Sequence, residues 1–279
     1  MRIKKIRKKN GSFRTICIPS YRQRAIMRRD YLPRLNSAQV AICDLDVVHG
    51  FMPGRSPVTA ALPHIGFMYT LSLDIEDFFR SVAIQMLPLD VAVACRGTVN
   101  DPGILFPILK KEPRRARQGL PTSPAIANIA AVKTDDWFKL WCVKHNAVYT
   151  RYADDLSISS NSKDDLLELR AVVAYRCQHL TDIEVGEFCF NPRKTRLQWA
   201  GPDGTWTREV VGVGVGKDGI KPLRSTRMKL RAVKHQGNSS HAAGLEEWCR
   251  LRHPRPVDYS KIAELHLSQV ALERLSTKP

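Results

Sequence analysis

Val148–Ser160 reads VYTRYADDLSISS. Apolar and polar residues alternate over much of its length, the period of a β-strand. Yet two aspartates, Asp154 and Asp155, stand side by side in its middle. Asp is depleted in strands, and adjacent like charges there repel. Successive strand residues point to opposite faces, so both carboxylates reach one point only from a tight turn between two strands. The residues allow this: AVYTRY before and LSISS after make the arms of a hairpin, with Ala153-Asp154-Asp155 at its tip. An isolated Asp-Asp at a turn is ordinary turn chemistry; its surroundings decide whether it is more.

About 80 residues upstream, YTLSLDIEDFFRSV carries a third carboxylate. Tyr69, Leu71, Leu73 and Ile75 share one face of a strand, and Ser72 and Asp74 the other. From Asp74 the period shifts toward a helix whose apolar positions are Phe78, Phe79 and Val82. Asp74 therefore lies at the carboxyl end of a strand, a favoured place for chemistry. Strand-end and hairpin-tip carboxylates together make a hard-oxygen site suited to Mg²⁺ or Mn²⁺.

The rest of the chain points to a phosphate-bearing partner. Its 279 residues carry 44 Lys/Arg against 27 Asp/Glu, a net charge of +17. A compact protein with that surplus repels itself unless a polyanion neutralises it. No run approaches the roughly 18 apolar residues of a membrane span, and no apolar segment follows the basic N-terminus, so a cytoplasmic protein without a membrane partner is expected. Seven scattered cysteines without a C-x-x-C argue for reduced thiols rather than a zinc site or disulfide framework. Two divalent ions about 3.5–4 Å apart could activate a hydroxyl and stabilise a leaving pyrophosphate.

Residues 1–9 read as a loop, a short helix or a solvated end, followed by a turn at Asn10-Gly11 and a strand FRTICI. The long segment from Pro124 to Cys142 reads as one helix, and SKDDLLELRAVVAYRCQHL as an amphipathic one. FCFNPRKTRLQW and REVVGVGVGKDG look like strands paired around the turn GPDGT. The repeated glycines of VGVGVG would let a neighbouring backbone come close. His49 and His64 show no metal-ligand spacing; His64 either orders the loop before the strand that ends at Asp74 or contacts nucleic acid.

YADD between apolar strands, LDIEDFF and QGLPTSPAIAN, in this order and spacing, resemble the palm motifs of a reverse transcriptase. The resemblance runs from RTICIPS to the basic tail. It is nearest to bacterial retron-type and defence-associated enzymes, through VVHGFMPGRS and TAALPH. It departs from the retron pattern at Ala60, where asparagine is usual, and in Val210-Val211-Gly212, where threonine is usual at the middle position.

The resemblance implies an α+β right-hand polymerase. Fingers and pre-palm loop would span 1–70, the palm 71–216 with an interleaved fingers segment at about 95–118, and a small helical thumb 217–279. Asp74, Asp154 and Asp155 would be catalytic and would hold two Mg²⁺ ions (Mn²⁺ a possible substitute), with the backbone carbonyl of Ile75 completing a shell. Phe79 would be the steric gate that rejects a ribose 2′-OH, and Phe78 a core aromatic. Gln118 and Arg14 would contact the dNTP, and Lys194 is a candidate acid for departing pyrophosphate. Lys110, Lys111, Arg114, Arg115, Arg227, Lys229 and Arg231 would grip nucleic acid. The implied partners are dNTPs, a structured non-coding RNA serving as template and primer, its DNA product, and separate effector proteins. The implied reaction is RNA-directed DNA synthesis of the retron kind in anti-phage defence. A protein-primed or template-independent enzyme, or a catalytically idle RNA-binding module, would share the fold.

Overall fold

The computed structural model describes residues 1–8, 11–88, 91, 115–179 and 188–262. At the N-terminus, β1 (Arg2–Arg7) pairs antiparallel with β2 (Phe13–Ile18). The first residues are thus a strand rather than a loop, helix or floppy end; the ladder to FRTICI satisfies their backbone. A helical stretch follows, α1 (Tyr21–Ile26), a π-helical turn (Met27–Tyr31) and α2 (Leu32–Ile42), opened by a capping box between Ser20 and Gln23. After the short α3 (Pro57–Ala61) comes β3 (Tyr69–Asp74), then the single turn α4 (Phe78–Ser81).

The expected helix from 124 to 142 is two helices, α5 (Ser123–Ala130) and α6 (Val132–Lys144), broken at Ala131. There ψ swings to −2° although neither Gly nor Pro is nearby. The hairpin strands are β4 (Val148–Tyr152) and β5 (Asp155–Ser160), and α7 (Lys163–His179) follows. The palm sheet is antiparallel, in the order β4-β5-β3-β6, with β6 at Arg196–Trp199. Leu71, Leu73, Ile75, Leu156 and Ile158 are buried in the main core beneath it, with Leu166 and Leu169 of α7 and Phe138 of α6.

A second, three-stranded sheet is built from β7 (Arg208–Val210), β8 (Val213–Val215) and β9 (Ile220–Pro222). The expected pairing of 188–199 with 208–219 is therefore replaced: β6 joins β3, with Leu197 opposite Leu71, and β7 pairs with β8. Side chains link the two sheets, Gln198 among them. The Gln198 amide donates to the Glu209 carbonyl at 2.9 Å and accepts from the Glu209 N–H at 2.7 Å, standing in for a backbone partner. Of the VGVGVG glycines, Gly212 forms the β7–β8 turn with Val211, both at positive φ. Only Gly214 allows a close backbone approach; a Cβ there would lie 2.8 Å from the Lys221 carbonyl. Two helices in contact follow, α8 (Arg224–His235) and α9 (Ser239–Cys249). Beyond them, Tyr259 turns back to donate to the Pro53 carbonyl at 2.7 Å.

Candidate active site

The hairpin brings the three carboxylates to one end of the palm sheet. Tyr152 pairs with Asp155, leaving Ala153 and Asp154 as a two-residue turn. Ala153 takes φ 58°, a left-handed value that usually calls for glycine at this place in a hairpin. Asp74, at the end of β3, lies directly opposite Asp155 in the ladder. The Ile75 N–H donates to the Asp154 carbonyl at 2.8 Å and ties the turn to the neighbouring strand. The turn is pressed from the other side by Gly50, where a Cβ would lie 2.2 Å from the Ala153 nitrogen.

Electrostatics record the crowding. Burial, then the Asp74 charge, raises the Asp154 carboxyl. Partial removal from water, followed by repulsion from Asp154 and Asp74, pushes Asp155 up to about 6. The Asp155 residue still reaches solvent at the turn, and the two neighbouring carboxylates add to what partial desolvation does. One cation answers them directly. Lys194 Nζ donates to Asp74 Oδ2 at 2.7 Å, and this bond raises its own pKa. Among the described residues no three His, Cys, Asp or Glu side chains stand ready around one point to hold a metal. The donor chemistry still fits a hard divalent cation: a cluster of carboxylates that resist ionising together is relieved by one.

Beside the carboxylates, a cleft is lined by Arg14, Phe79 and Gln118, together with Lys8, Phe13, Asp77, Arg80 and Arg117. Three of the expected dNTP contacts thus share one cavity. Lys194 does not line it and stays with Asp74. Gly119 shapes this wall, but the backbone it admits is that of β2. Its φ is +97°, a Cβ would lie 2.4 Å from the Cys17 carbonyl, and the Cys17 N–H donates to the Gln118 carbonyl at 2.8 Å. Phe78 is buried, as expected of a core aromatic, and Phe79 half-buried.

The expected nucleic-acid contacts divide. Arg227, Lys229 and Arg231 are exposed on α8, with Arg227 and Arg231 one turn apart on a shared face. Arg115 spends part of its guanidinium on the Ser81 carbonyl at 3.0 Å. Lys110, Lys111 and Arg114 lie outside the described residues.

The residues that sequence reasoning missed support the turn from below. Arg151 is fully buried and grips Asp135 with two parallel bonds of 2.8 and 2.7 Å. Its Nη1 also donates to Asn128 Oδ1 and to the Ala153 carbonyl, the strained turn residue itself. Burial pulls the guanidinium pKa down, but the Asp135 charge and hydrogen bonds outweigh it and the net shift is upward. The signal was present: an arginine in the middle of an apolar strand is buried only when paired. A second buried arginine, Arg208, donates to Thr70 Oγ1 at 2.6 Å and to the His64 carbonyl at 2.7 Å. His64 is itself enclosed, bonded to Ser159 and Thr150 at 2.8 Å each, so it orders the palm core and faces no solvent.

Comparison with known proteins fits this geometry. Residues 6–215 match the family described as reverse transcriptase (RNA-dependent DNA polymerase). The chain is 31% identical to the retron Mx65 reverse transcriptase of Myxococcus xanthus, over 90% of this chain and 61% of that one. It is 32% identical to the retron Mx162 reverse transcriptase of the same organism, over 82% of this chain and 51% of that one. It is 28% identical to the retron Ec86 reverse transcriptase of Escherichia coli, over 84% of this chain and 69% of that one. The chain thus spans roughly half to two-thirds of these relatives' lengths. Among solved structures, the telomerase of Candida albicans in complex with a fragment of telomeric RNA superposes with a TM-score of 0.54 at 14% identity, over 79% of this chain and 46% of that one. At that identity the likeness speaks for the fold alone, the α+β right hand expected from the motifs. On the match over 6–215, with the palm carboxylates in their family order, the chain belongs to the reverse transcriptase (RNA-dependent DNA polymerase) family.

Proposed function

We propose that this chain copies RNA into DNA, and that its partner is a structured non-coding RNA converted into a retron-type RNA–DNA product in anti-phage defence, with separate effector proteins. The observation that carries the reading is the meeting of Asp74, Asp154 and Asp155 beside a cationic cleft that also contains Phe79 and Gln118. Asp74, Asp154, Asp155 and the Ile75 carbonyl would hold Mg²⁺, with Mn²⁺ as substitute. Bound there, the ions supply positive charge to the attacking 3′-hydroxyl and the leaving pyrophosphate.

The chain's own groups do the rest. The primer 3′-hydroxyl gives its proton to solvent as its oxygen bonds to the α-phosphorus, and the bond from that phosphorus to the bridging β-phosphate oxygen breaks to release pyrophosphate. Arg14, with Lys8, Arg80 and Arg117 around the cleft, draws in the triphosphate. Phe79 fills the place beside the sugar and rejects a 2′-OH, and Gln118 orients that sugar. Lys194 brings an ammonium to the carboxylates, and would serve as the acid for the departing pyrophosphate. Fingers (1–70), palm (71–216) and thumb (217–279) would close around an A-like hybrid, with Arg227, Lys229 and Arg231 of α8 on its backbone and Arg115, Lys110, Lys111 and Arg114 as further phosphate contacts.

The test is Mg²⁺-dependent dNTP incorporation on a primed RNA template, with sequencing of the nucleic acid that copurifies from the native host. Asp154→Ala and Asp74→Ala should abolish incorporation and leave RNA affinity within a few-fold. Incorporation near wild type in either variant would end the reading. A discrete DNA joined to a structured RNA supports the retron assignment; protein-linked or heterogeneous DNA would replace it.

A further inference from the structure

Phe51 belongs to the VVHGFMPGRS segment, which no step above uses. Three observations set it apart. Its φ is 61°, a left-handed backbone that is strained for a bulky residue and persists only where the surroundings enforce it. Its ring is 45% exposed, so burial does not account for an aromatic there. And that ring lies 6.1 Å from the ring of Phe79, tilted by 47°.

The surroundings do enforce the backbone. Gly50, immediately before, is locked against Ala153. The Phe51 carbonyl accepts from Gln39 Nε2 at 3.5 Å, and Gln39 Oε1 accepts from Asn128, the residue that also receives Arg151. On the other side, the Pro53 carbonyl is held by Tyr259, and a Cβ on Gly54 would lie 2.6 Å from a Val257 methyl. The loop is pinned at both ends, and the result is a ring held out against Phe79.

Phe79 then has two aromatic neighbours. The buried Phe78 ring lies 5.4 Å away and rests in turn on Phe188 at 5.6 Å; the exposed Phe51 is the other. A residue that rejects one oxygen atom must not rotate away from it. Staggered wells leave a half-buried ring such alternatives unless neighbours block them.

We propose that Phe51 is a specificity-determining residue, bracing Phe79 so that the enzyme discriminates against ribonucleotides. This rests on Phe79 as the gate, and the experiment separates the two. On oligo(dG)-primed poly(rC), kcat/KM is measured for GTP and dGTP with the full chain. Phe79→Ala alone tests the gate: an unchanged GTP/dGTP ratio removes that reading. Phe51→Ala should raise the ratio about three- to tenfold, the worth of one aromatic pair. The change should come mainly through a lower KM for GTP, with dGTP turnover within about twofold of wild type. Phe51→Gly, which takes the left-handed φ freely, should give the same rise without loss of thermal stability. Phe51→Tyr should restore the wild-type ratio. In a Phe79→Ala background Phe51→Ala should add nothing. A ratio unmoved by Phe51→Ala where Phe79→Ala moves it overturns the proposal. So do multiplying effects of the two substitutions, or a change confined to the KM for the template.

Discussion

At the scale of single residues, the clustered carboxylates depend on a side chain that never touches them. Arg151 donates to the Ala153 carbonyl and holds the turn in a conformation alanine does not favour. Its partner Asp135 sits one turn into α6, after the break at Ala131, and also accepts from Tyr149 Oη at 2.7 Å. Arg151→Met would leave Asp135 buried and uncompensated, a loss of about 3–5 kcal/mol. Urea denaturation should show it, and Arg151→Met with Asp135→Leu should recover much of it. If Arg151→Met unfolds at the wild-type urea concentration, the network does not hold the turn. The contrast marks what a sequence discloses. Asp154 and Asp155 were legible because two adjacent acids break a strand pattern and so announce a turn. Arg151 broke the same pattern, but its meaning lay in Asp135, on a helix whose face toward the strand was set by a break without a sequence marker.

At the scale of elements, the cleft beside the carboxylates includes a seam between the β1–β2 hairpin and the turn before α5. Gly119 makes the seam possible, because its missing Cβ leaves room for the Cys17 carbonyl. Gly119→Ala must both strain a φ of +97° and push β2 away. That should cost about 2 kcal/mol and lower the melting temperature by roughly 4–8 °C. Because Arg14 lies on β2 and Gln118 on the turn, the KM for dNTP should rise more than kcat falls. An unaltered KM would mean that the seam does not set the cleft. The palm strands were readable as elements because period two and turn residues punctuate them. The partner of β7 was not. REVV could pair with either neighbouring strand by pattern alone, and the choice fell to long-range packing. Leu197 fits against Leu71, and the Gln198 amide supplies the hydrogen bonds that a β6–β7 ladder would have made.

At the scale of the whole molecule, the charge surplus is not all surface. Arg151 and Arg208 are interior struts, and the palm behind the carboxylate end is joined by buried histidines. Burial, then Arg208 and His49, lowers His64 to about 3; burial, then Arg55, lowers His49 to about 4 against a weaker pull from Asp46. In the unfolded chain both would titrate near 6.5. Below that pH the unfolded state binds protons that the folded state refuses, so stability is full above about 6.5 and falls with acid. The His49 contribution stops falling near pH 4 and that of His64 near pH 3. While both are neutral only in the fold, each should remove on the order of 1.4 kcal/mol per pH unit. Urea denaturation at pH 7, 6 and 5 should therefore show falling stability, and His64→Gln should lessen the slope by about one histidine's share. Equal slopes in the variant and the wild type would mean that His64 exchanges protons in the folded protein. The Ser159–His64–Thr150 bridge would then be a looser joint than its two 2.8 Å bonds describe.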